Sequence, residues 1–213
     1  MGIAIDQLVE QVSNDPLLAI APIVALLTTL GLAYAPNNIG KDTTLWRAVR
    51  NLLPYVDGQA RELGFYSSYP ISDKEIVGYW DKDVNELYEA LRSEGFILSP
   101  LAAHKSFEGR EEVTSMAHFG KDLNGISNAK QVAWKLTHRY QTHVTVFESK
   151  PEEDHNYIIT AHHEKSAYSP LTAYQHLKGK GMDIQKGKVI VDDMLERYEG
   201  YEKKTATLRD KDT

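Results

Sequence analysis

Apolar positions are spread unevenly along this chain, and the longest unbroken run comes first. Residues 16–35 read PLLAIAPIVALLTTLGLAYA, without a charge. As a helix this is roughly 30 Å, the thickness of a bilayer's hydrocarbon layer. Within lipid such a segment must satisfy its own backbone, and so must be helical. The pattern predicts a single transmembrane helix anchored by Leu17, Leu18, Ile20, Ile23, Val24, Leu26, Leu27, Leu30 and Leu32, with Tyr34 and Trp46 in the aromatic belt. Thr28, Thr29 and Gly31 give it a small face suited to a second helix. Pro22 either kinks the span or starts it. In the second case the stretch is short for a crossing, and a buried core helix or a re-entrant segment competes. A cleaved signal is disfavoured, because Asp6, Glu10 and Asp15 precede the run and no Lys or Arg does. Lys41, Arg47 and Arg50 follow it, so the positive-inside rule sets the N-terminus outside and the rest on the cytoplasmic or interior side.

Helical periodicity flanks the run on both sides. Residues 1–15 carry the stripe Ile5, Leu8, Val9 and Val12; residues 36–62 carry Leu45, Val49, Leu52, Leu53 and Val56, with Arg47 and Arg50 off that face. The second stripe reads as a helix lying on the bilayer, or equally as one packed on a domain. Residues 63–201 then read as one soluble α+β domain, and residues 202–213 as a charged tail. In the domain, Val84, Leu87, Tyr88 and Leu91 predict a helix over 81–94 stopped by Gly95. Residues 96–107 are extended and broken at Pro100; Glu108, Gly109 and Arg110 form a turn into a strand over 112–119. The clearest signal is a hairpin, QTHVTVFES over 141–149 and YIITAHHE over 157–164, β-branched and alternating about a polar loop. Its first strand is expected to begin as early as Val132. Helices are expected over 171–177 and 187–198. The order favours an antiparallel sheet of about four strands with flanking helices.

Composition narrows the chemistry. With no cysteine, disulfides, thiolate metal sites and cysteine nucleophiles are excluded. A net charge of −6, with Asp81, Asp83, Glu86 and Glu89 along one helix, argues against nucleic-acid binding. The 12 tyrosines and 3 tryptophans, crowded at Tyr66, Tyr69, Tyr79 and Trp80, suit either a core or a protein interface.

All eight histidines lie between His104 and His176. If the hairpin pairs Phe147 with Ile158, then Thr145 faces Thr160 and His143 faces His162, with Glu164 on the same face and His176 within reach from the next helix. His143, His162, Glu164 and His176 are thus the candidate ligands of a zinc or iron ion. The plain alternative is a set of polar side chains on a half-exposed sheet. No His-Glu-x-x-His, nucleophile elbow or phosphate loop occurs, and no segment carries a motif that identifies a family. The leading expectation is therefore a membrane-anchored structural or accessory subunit of a larger assembly, a membrane complex or a virion. It would contact other protein subunits through its helix and domain, and would need no cofactor. The alternative is a membrane-bound metal-dependent hydrolase built on the histidine sheet.

Overall fold

The hairpin read from the sequence is the centre of the domain. In the computed structural model, which describes residues 69–99 and 105–204, strands β6 (Tyr140–Glu148) and β7 (Tyr157–Lys165) pair antiparallel over their whole length. Their polar loop closes with Ser149 donating to the Asn156 carbonyl, and Arg110 fastens it by bonding both Glu108 and Glu153. The anchor segment, its two amphipathic flanks and His104 lie outside the described residues. Among the described residues no helix is long and apolar enough to cross a membrane.

Around the hairpin stands an antiparallel sheet of six strands rather than about four. Its order is β3 (Ile97–Leu98), β5 (Glu112–His118), β6, β7, β2 (Ile76–Trp80) and β8 (Tyr201–Lys203). A separate parallel ladder joins β1 (Tyr69–Pro70) to β4 (Lys105–Ser106). The extra strands sit where the sequence alternates poorly. β2 reads IVGYW because both its faces are covered, and a strand buried on both faces loses the period-two signal. β8 is too short to show a period, and it carries the sheet two residues past the boundary drawn at 201. Gly78 makes its pairing possible: a Cβ there would stand 2.3 Å from the Glu202 carbonyl and 2.6 Å from the Tyr201 ring.

Four α-helices flank the sheet among the described residues. α1 (Val84–Ser93) is capped by Asp83, whose side chain accepts from the Asn85 amide at 2.7 Å, and Gly95 ends it at φ 85°. Residues 132–137, expected to extend β6, instead belong to α2 (Asn128–Thr137). Side chains decide this. Gln131 donates to the Leu123 and Ile126 carbonyls and Trp134 to the Phe119 carbonyl, which roots the segment on the loop before it. A short α3 (Ala173–Leu177) leads to α4 (Ile184–Leu195). α4 starts earlier than its apolar period suggests because Asp183 caps it, accepting from the Lys186 amide at 2.9 Å. Leu87 and Leu91 of α1 and Val191 and Leu195 of α4 close over Met116, Val144, Val146 and Ile159 of the sheet. Each such side chain stabilises the fold by about 1.5–3 kcal/mol. The opposite face is apolar only near the hairpin loop, where Ile71, Ile76, Phe107, Phe147 and Ile158 gather. Farther along it turns polar while staying buried.

Candidate metal centre

That polar half of the sheet is built by register. Thr145 lies opposite Thr160, His143 opposite His162 and Gln141 opposite Glu164. Side chains two apart on a strand share a face, so both imidazoles and the carboxylate project to the same side. The two rings meet edge to face with centroids 5.6 Å apart. Nδ1 of His143 lies 2.8 Å from Oε1 of Glu164, and Nε2 of His162 lies 3.4 Å from the same oxygen. The three candidate donor atoms all fall within 4.8 Å of one another. Donors around a tetrahedral zinc stand roughly 3.3 Å apart, given zinc–ligand distances near ~2.0 Å. The observed separations bracket that value.

The outer atom of each group is held as well. His162 Nδ1 lies 2.9 Å from Oε2 of Glu75, a carboxylate with no exposed surface. Glu75 ends the short turn Asp73–Glu75, where its other oxygen accepts from the Ser72 amide at 2.9 Å and fixes the carboxylate from behind. Ser99 Oγ lies 3.4 Å from His143 Nε2. Glu164 Oε2 is 3.1 Å from His176 Nδ1, which also reaches the Lys165 carbonyl at 2.9 Å. Gln141 donates to Glu164 Oε1 at 3.1 Å. α4 presses on the strand from behind: a Cβ on Gly187 would stand 2.4 Å from the His162 backbone.

Burial and neighbours divide the charges. Burial pushes His143 down to about 4, against the pull of Glu164, so its ring is neutral at pH 7. Burial also works against a charged His162, but the carboxylates of Glu164 and Glu75 outweigh it and hold this ring above its ordinary value. Burial would raise Glu164, yet the imidazoles of His143 and His176, with His162, keep it well below the usual carboxylate range. His143 Nδ1 is buried and lies within hydrogen-bonding distance of Glu164 Oε1, at 2.8 Å. A neutral imidazole whose buried nitrogen points at a second imidazole and a carboxylate matches the donor set of a divalent cation.

Of the four ligands expected from sequence, His143, His162 and Glu164 converge, while His176 touches the cluster only at the far oxygen of Glu164. His163 points to the other face, where its Nδ1 meets the Thr142 hydroxyl at 3.0 Å, and His155 packs on Tyr79 at the loop end. No sequence pattern marks Glu75 or Ser99 as part of this cluster. The Ser72-to-Glu75 spacing signals a capped turn but says nothing of where the carboxylate goes. No family model matches the chain, and neither a curated protein nor a solved structure matches it.

Proposed function

We propose that this chain is a membrane-anchored metalloprotein, in which His143 Nδ1, His162 Nε2 and Glu164 hold one divalent transition-metal ion, zinc or iron, in an accessory subunit of a membrane assembly. One observation carries the metal: three donor atoms converge within 4.8 Å while Ser99, Glu75 and His176 each hold an outer atom of one of them. Metal-bound histidines ordinarily give their second ring nitrogen to a carboxylate or other acceptor, which sets the tautomer and raises ligand basicity. Glu75 stands in that position for His162.

The anchor is supported by the uncharged run at 16–35 and its basic C-terminal flank. The accessory role is favoured over hydrolysis by the use of Glu164. As a ligand it no longer serves as the base of a metal-bound water, and Glu75 is engaged by His162. The test is purification of the full chain from membranes in mild detergent, with elemental analysis and mass analysis of co-purifying proteins. One equivalent of metal, lost in His162→Ala and Glu164→Gln, supports the centre; a metal-free chain indistinguishable from those variants contradicts it. Recovery in the wash of unextracted membranes contradicts the anchor.

A further inference from the structure

Exposed apolar and basic side chains gather around the end of the hairpin away from its loop. Among the described residues three large apolar side chains are exposed, Tyr140 at 39%, Leu171 at 68% and Val189 at 47%. All three belong to this end. Lys165 Nζ donates to the Tyr140 hydroxyl at 2.6 Å, and Lys186 Nζ lies 5.9 Å from the same ring. Val189 follows Lys186 by three positions on α4, so the two are neighbours on its surface. Leu171 is tied in through Thr172, whose hydroxyl donates to the Ser166 carbonyl, while the Ser166 amide donates to the Arg139 carbonyl beside Tyr140. Lys180 precedes Gly181, whose missing Cβ would meet the Lys165 side chain at 3.2 Å.

The charge here runs against the rest of the chain. From Lys165 to Asp193 there are five lysines and three aspartates, a sum of +2; with a whole-chain charge of −6, the remainder carries −8. The bond from Lys165, followed by the charges of Lys186 and Arg139, holds the Tyr140 phenol below its ordinary value, which reports a positive local potential. Scattered apolar tips among lysines, with an amphipathic tyrosine between them, suit the headgroup layer of a bilayer better than a protein groove, which would ask for a contiguous apolar patch.

We infer that this face docks on an anionic phospholipid surface, with Lys165, Lys180 and Lys186 at the headgroup phosphates and Tyr140, Leu171 and Val189 among the headgroups. The inference rests on the membrane-anchored reading, which brings the domain to a bilayer, and on the positive-inside orientation, which selects the anionic cytoplasmic leaflet. Repulsion of the acidic remainder by the same leaflet leaves this face as the one turned to it.

The full chain is reconstituted in nanodiscs of phosphatidylcholine alone, or with phosphatidylserine, and amide hydrogen exchange is compared. Recovery of the chain with the disc reads the anchor, and exchange reads the docking, so the two fail separately. Docking predicts that phosphatidylserine slows exchange at 139–141 and 178–190 at least ~5-fold in ~0.15 M salt, and that high salt removes the effect. Lys165→Glu/Lys180→Glu/Lys186→Glu abolishes it without loss of bound metal. Equal exchange in both discs overturns the inference, as does protection that appears only with polyglutamate, which assigns the face to an acidic protein. If the chain is not retained by discs, vesicle sedimentation reads the docking alone: salt-sensitive binding to phosphatidylserine vesicles supports it, and no such binding overturns it.

Discussion

Glu164 draws three histidines and a glutamine to one carboxylate, and each tie has a separate consequence. Glu75→Gln keeps the shape beside His162 and removes only the charge. Zinc affinity is expected to fall about 10- to 100-fold with the fold intact, read by competition against a chromophoric chelator. An unchanged affinity would reduce Glu75 to a packing residue. His162→Ala does more, because it leaves Glu75, fully buried, without its imidazole. A loss of about 3 kcal/mol in urea denaturation is expected even without metal. Lys135 behaves oppositely. It lies in the last turn of α2, 3% exposed and over the Tyr168 ring, and burial pushes it down to about 8. A free lysine titrates near ~10.4, so between the two values the unfolded chain binds the proton that the folded chain has lost, and stability rises with pH through that window. Lys135→Met should flatten that rise. Parallel stability curves for the two proteins at pH 7 and pH 10 would show the charge to be well accommodated.

At the scale of elements, α4 and β7 form the frame that holds the site. Their contact is backbone to backbone at Gly187 and His162, so Gly187→Ala must part them. It should destabilise the fold by about 1–3 kcal/mol and weaken metal binding as well, since the displaced strand carries two of the three donors. A drop in stability with unaltered affinity would separate the frame from the centre. The same elements show what sequence patterning conveys. The hairpin register is legible because alternation and a polar loop leave few ways to pair the two strands, and that pairing puts His143, His162 and Glu164 on one face. α2 was not legible, because its place depends on Gln131 and Trp134 reaching carbonyls in the preceding loop. β2 was hidden by burial on both faces. Glu75 was hidden by distance, since it meets His162 from 87 residues away, and no local spacing encodes that meeting.

For the whole molecule, the proposed membrane-anchored reading sets two solvents against one chain. The uncharged run at 16–35 is long enough to cross a bilayer as a helix, while the sheet buries a cluster of imidazoles and carboxylates. If the ion is part of the native state, it stabilises the fold by mass action, and a chelator should lower the thermal midpoint while zinc at 100 times its dissociation constant adds about 2.7 kcal/mol. The direct test is a cobalt(II) titration of the detergent-purified full chain, followed by visible absorption. We expect saturation at one equivalent, with the strong d–d bands of low, tetrahedral-like coordination, displaced by zinc and absent in His143→Ala and His162→Ala variants that keep their circular dichroism. Weak, unsaturable absorption, or the same spectrum in all three proteins, would show that the histidines and Glu164 form a hydrogen-bonded polar core and no metal centre.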